Sequence, residues 1–161
     1  MIKSITIFAF ILISNAICWG QSESAIISIN DTISLKLERT KFEPKGSKLD
    51  YYKNNFLYSI NGRPIFGTDG DIPKYILKAA TLKVGMTNYN LQINDMYNPW
   101  FGEKPNEQFF TFEKEGPEMR LRGYFSDGAG SYGAEWLIVG LISVRTVLSK
   151  DEWILIEYSK N

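Results

Sequence analysis

The chain has 161 residues, with 18 basic and 18 acidic side chains, no histidine and one cysteine. So even a balance carries no electrostatic footprint for nucleic acid or an anionic membrane. Without an imidazole there is no Ser-His triad, and Cys18 alone cannot build a Cys/His zinc centre or an internal disulfide framework.

Met1-Ile2-Lys3 is a short basic start, residues 5–13 are apolar and uncharged, and small residues follow around Ala16 and Gly20. This order predicts a secretory signal over residues 1–20, leaving 21–161 as a single β domain in the periplasm or outside the cell. The apolar run is shorter than the about 20 residues of a membrane-spanning helix. Acylation of Cys18 is the alternative and would leave the domain lipid-anchored, but bulky Ile17 precedes the cysteine where a small residue is wanted. Lys3 is the only charge in the segment, so cleavage turns 18 basic and 18 acidic residues into 17 and 18. Asn30-Asp31-Thr32 matches a glycosylation acceptor, yet an exported chain without disulfides fits a bacterial envelope better.

Alternation of period two dominates after residue 25. Ile33, Leu35 and Leu37 alternate with Ser34, Lys36 and Glu38, as a half-buried strand requires. Residues 39–54, with Pro44, Gly46 and mixed charges, read as a long solvated loop. Asn61-Gly62 marks a hairpin, because both residues tolerate the positive φ of a type I′ turn. Residues 72–80 stay open between a short helix and a strand. Asp69 and Asp71 present oxygens that a calcium ion could use, but ordinary turn chemistry explains an acidic Asp-Gly sequence without a metal. Tyr89, Leu91 and Ile93 resume the alternation. Residues 96–101 then gather Tyr97, Trp100 and Phe101 around Pro99. Such a loop either offers rigid aromatic contact area to a partner or folds back to complete the core.

The last third allows strand registers to be set against one another. With 126–131 as a loop, Leu121 faces Trp136, Gly123 faces Ala134 and Arg122 faces Glu135. A three-residue turn at 139–141 sets Trp136 against Val144 and Glu135 against Arg145. A turn at 149–151 then opposes Val144 to Ile156. These registers predict a four-stranded antiparallel meander over 119–125, 132–138, 142–148 and 152–158, with Leu121, Trp136, Val144 and Ile156 on one face. The opposite face carries Tyr124, Leu137, Val147 and Trp153 around an Arg122–Glu135–Arg145 ion-pair ladder. It is too apolar to face water alone, so a second layer or a partner should cover it. The whole reads as an all-β antiparallel sandwich or flattened barrel of about eight to ten short strands.

Two motif matches fail on physical grounds. Residues 128–133 spell G-x-G-x-x-G, but strand-like EWLIVGLISV follows where pyrophosphate binding needs a helix N-terminus. Ala129-Gly130-Ser131-Tyr132-Gly133 resembles a nucleophile elbow that has no histidine to serve it. Asp127 and Glu135 could form a glycosidase pair if about 5–10 Å apart, but a glutamate between two arginines is a poor general acid.

The expected function is therefore that of an exported, non-enzymatic binding protein. It would recognise a protein in the cell envelope, as an inhibitor or immunity-type partner does. The candidate contact residues are Tyr97, Trp100, Phe101, Tyr124, Asp127, Ser131 and Trp153. The alternative is carbohydrate binding through the aromatic loop with calcium assistance, and a carboxylate-based glycosidase is third. No cofactor, nucleic acid partner or membrane span is expected.

Overall fold

The computed structural model describes residues 22–159. The expected signal segment 1–20, Cys18 included, lies outside the described residues. In chain order the strands are β1 (Glu23–Asn30), β2 (Ile33–Lys41), β3 (Leu49–Tyr52), β4 (Phe56–Ile60), β5 (Arg63–Pro64), β6 (Tyr75–Val84), β7 (Thr87–Asn90), β8 (Phe110–Glu115), β9 (Glu118–Phe125), β10 (Tyr132–Val139) and β11 (Ile142–Ser149). One helix, α1 (Glu152–Tyr158), follows them.

Two four-stranded antiparallel sheets, ordered β1-β2-β6-β7 and β11-β10-β9-β8, share one core. Each contributes alternate side chains: Ile27, Leu35, Leu37 and Leu82 from the first, Leu121, Trp136 and Ile138 from the second. Successive side chains of a strand point to opposite faces, so the period-two pattern becomes a buried face. Trp136 lies fully inside and donates its indole N–H to the Gln92 carbonyl at 2.9 Å. Truncating it to alanine would cost about 3–5 kcal/mol, the usual penalty for emptying a large aromatic site. Gly123 opposes Ala134 as expected, and the small pair has a reason. A Cβ on Gly123 would come within 2.7 Å of the Phe125 ring and 2.9 Å of Phe110.

The Asn61-Gly62 hairpin forms as expected, with φ of 55° and 73° and Ile60 opposite Arg63. It joins β4 to β5 in a small three-stranded sheet with β3, over a second apolar cluster of Leu57, Ile60, Ile65 and Tyr97. Of residues 72–80, which the sequence leaves open between helix and strand, 75–80 form strand and 72–74 lead into it, because β6 pairs with β2 along nearly its whole length. The solvated loop expected over 39–54 is shorter. Strand β2 runs through Arg39 to Lys41, β3 takes 49–52, and Arg39 itself is buried.

Two further expectations are corrected in the C-terminal sheet. The β9–β10 register is as expected, with Leu121 opposite Trp136 and Arg122 opposite Glu135. The β10–β11 register is not. A two-residue loop, Gly140-Leu141, replaces the expected three-residue turn, and Gly140 supplies a φ of 61° at its first position. Trp136 therefore faces Arg145, Leu137 faces Val144, and a bulge between Glu135 and Trp136 adds a further shift. One residue of slip moves a whole strand to its other face, so Val144 leaves the core and points outward.

Residues 152–158 are the second correction, for they form α1 rather than a strand. The Asp151 carboxylate caps it by accepting from the Trp153 N–H at 2.9 Å. Ile154 and Tyr158, four apart, then share the inner face of a helix. The fourth strand of the sheet comes instead from β8, beyond β9. Helix α1 lies on the sheet's outer face over Gly133, whose added Cβ would meet Ile154 and Tyr158 at 2.8 Å. A side chain at residue 133 would lift the helix away.

Candidate functional site

The aromatic segment 96–101 folds inward. Asn98, buried and at a φ of 39°, accepts from the N–H groups of Lys74 and Tyr75 and donates to the Gly67 carbonyl at 2.7 Å. The Tyr132 hydroxyl donates to the Tyr97 carbonyl at 3.1 Å. Arg39 donates to the Trp100 carbonyl and to Glu23, with its guanidinium 3.9 Å from the Tyr75 ring centre and 4.3 Å from that of Trp100. Tyr97 and Trp100 are consequently buried, Trp100 to 4% exposure. Burial also pushes the Tyr97 phenol up from its ordinary range. Only Phe101, 37% exposed, offers its ring to solvent.

Four of the expected contact residues meet all the same. Trp100, Phe101, Tyr124 and Asp127 line one cavity of about 260 Å³, together with Phe109 and the turn at 102–106. The Phe109 and Tyr124 rings lie 6.1 Å apart at an interplanar angle of 22°. Ser131 sits behind this wall, buried, accepting from the Tyr124 hydroxyl at 2.7 Å. A second cavity of about 290 Å³ shares Phe101 and Asp127 and continues past Asp69, Asp71 and residues 128–130. Thr68 organises that acidic turn, donating to the Asp71 carbonyl at 2.7 Å and accepting from the Asp71 N–H. No group of three or more His, Cys, Asp or Glu side chains is placed to hold a metal ion among the described residues.

The ion-pair ladder has a different membership. Glu135 accepts from Arg122 Nε at 2.8 Å, Arg120 Nη1 at 3.4 Å and the Thr146 hydroxyl at 2.7 Å. Arg145 is absent from it because the shifted register turns its side chain away. Its backbone N–H reaches the Gln92 amide oxygen at 3.0 Å and its guanidinium the Asn94 carbonyl at 2.6 Å. Burial works to raise the Glu135 pKa, but the Thr146 and Arg122 hydrogen bonds and the two arginine charges outweigh it. The carboxyl is held below its ordinary range, which suits an ion pair and not a general acid.

Sequence reasoning found the face beside this ladder too apolar for water but missed Val139, Ile142 and Val144 on it. On the outer face of the sheet Leu137 opposes Val144 and Val139 opposes Ile142, with Leu141 at the turn 84% exposed. Val139, Ile142 and Val144 are also exposed. Helix α1 covers only the Gly133 end of this face, leaving the hairpin end bare; its own Trp153, 80% exposed, projects from the solvent side of the helix. The signal that could have found the patch is Gly140. Read as the first residue of a two-residue turn, it places Val144 outside.

Comparison with models of protein families, with characterised proteins and with solved structures returns no match.

Proposed function

We propose that the protein is an exported binding domain that recognises another protein through the outer face of the β10–β11 hairpin. The observation that carries this reading is the apolar square of Leu137, Val139, Ile142 and Val144, extended by Leu141 at the turn. An exposed contiguous apolar patch with a polar border is the usual mark of a protein contact. Here Glu118 and Arg120 stand beside it on β9, opposite Val139 and Leu137. Charges of both signs at the rim suit a protein surface of mixed charge.

The partner packs against the face and does not extend the sheet. β11 is an edge strand, but Gln92 takes the Arg145 N–H and Asn94 holds its side chain, so mid-strand the edge is already covered.

The test is affinity capture from an envelope extract by the wild-type domain and by Ile142→Asp and Val144→Asp variants. The expected outcome is one protein retained by the wild type and lost by both variants, while their circular dichroism spectra stay native. Equal retention by natively folded variants would remove this face as the contact. Sedimentation velocity separates self-association, because a concentration-dependent dimer abolished by the same substitutions would make the partner a second copy of the chain.

A further inference from the structure

Of the two cavities that meet at Phe101 and Asp127, the first is walled by aromatic rings, both are edged with acceptors, and no residue of the hairpin face lines either. Each is near the lower end of the size range of ligand sites, about 300–1,000 Å³. Sharing Phe101 and Asp127, they lie side by side as two compartments. Phe101, Phe109 and Tyr124 supply ring surface. The Asp127 carboxylate stands at the junction with no hydrogen-bond or ion-pair partner among the described residues, and it does not cap the 3-10 turn of Gly128–Gly130 that follows it.

The walls are set in advance. Ser126 adopts a φ of 68° and donates its N–H to the Pro99 carbonyl at 3.2 Å, tying the end of β9 to the aromatic segment. Arg39 fixes Trp100 from behind. Residues other than glycine held at positive φ persist where the surroundings impose them, and Asn98 and Ser126 do so on either side of this groove. A site ordered before binding loses less conformational entropy when it is filled.

The lining also selects the class of ligand. Asp127, Glu103, Asp69 and Asp71 oppose an anion, while Lys104 in one compartment and Lys74 in the other offset part of their pull on a cation. A neutral ligand with C–H faces for the rings and hydroxyls for the carboxylates meets both demands. We propose that this groove binds a neutral oligosaccharide, one sugar ring packing beside Phe101 and its hydroxyls donating to Asp127.

Calorimetric titration of the purified protein with maltotetraose, cellotetraose and chitotetraose tests the assignment. Saturable binding of at least one is expected, weakened at least tenfold by Phe101→Ala and by Asp127→Asn and unchanged by Ile142→Asp. That last variant separates this groove from the hairpin face. Both groove residues are exposed, so the variants should fold; amide shift mapping on the wild type should place the perturbation at 99–109 and 124–127. No saturable binding of any of the three sugars, or binding indifferent to both substitutions, would overturn the proposal. So would saturable binding of tetramethylammonium at the same residues, which would make the groove a cation site.

Discussion

Arg39 donates to the Trp100 carbonyl and holds its guanidinium 4.3 Å from the centre of the Trp100 indole, joining β2 to a loop 61 residues away. The same group lies over Tyr75 and pairs with Glu23 at 2.7 Å, although Arg39 is only 4% exposed. A flat, weakly hydrated cation suits this position between two rings, where an ammonium would not.

Replacing Arg39 tests that contact. Arg39→Lys should lower stability by about 1–3 kcal/mol, since it loses the planar fork and stacking while keeping the charge. Arg39→Met should cost more, on the order of 3–5 kcal/mol, as removal of one member of a buried polar set does. Urea unfolding followed by tryptophan fluorescence reads both. An Arg39→Lys midpoint equal to the wild type's would show that the stacking adds nothing.

Gly67 and Gly116 separate crowding from conformation. Both have positive φ, 89° and 58°, but a Cβ on Gly67 would lie 1.9 Å from the Tyr97 carbonyl oxygen whereas nothing lies within 4 Å at Gly116. Gly116→Ala should cost about 1–2 kcal/mol, the left-handed penalty alone. Gly67→Ala adds a collision with backbone and should cost at least about 3 kcal/mol, in the range of severe core defects. Thermal unfolding of the two variants side by side is the check, and equal melting temperatures would refute the close approach of residue 67 to the aromatic segment.

Glu135 should make stability depend on pH in one direction. Its folded-state pKa is depressed, against the pull of burial, by Thr146, Arg122 and Arg120. The folded protein therefore binds this proton less readily than the unfolded chain does. The stabilisation is fully present above the ordinary glutamate range and is lost as pH falls through the depressed value. Glu135→Gln should accordingly lower the urea midpoint most near neutral pH, with the gap to wild type narrowing in acid. A gap constant from pH 7 to pH 3 would mean that the carboxylate's charge has no part in it.

Much of the architecture was legible before any coordinates. Alternating residues identified β2, β9 and β10, Asn61-Gly62 marked its hairpin, and a loop at 126–131 set the β9–β10 register, with small Gly123 facing small Ala134. Helix α1 escaped because Trp153, Ile154, Leu155 and Ile156 carry strand composition, and a seven-residue segment is too short to display a helical period. The β10–β11 register escaped because two- and three-residue turns through Gly140 fit the local pattern equally well. Their consequences differ across the whole strand, and the outward face of Val144 and the exclusion of Arg145 from the ladder both follow from that one residue.

The candidate site divides along the same line. Phe101, Tyr124 and Asp127 could be chosen from the sequence as aromatic and acidic residues in loops or near strand ends. That they line one groove while Trp100 sinks beneath it depends on Arg39, Asn98 and Ser126, which act across long stretches of chain. By itself the sequence determined the strand periodicity and withheld histidine from the chain and cysteine from everything beyond Cys18, because composition and local pattern are properties of the chain at short range. The tertiary structure alone decided which aromatic rings reach solvent and which apolar face stays bare. Those outcomes rest on contacts between residues distant in sequence and on a turn length that local pattern leaves open.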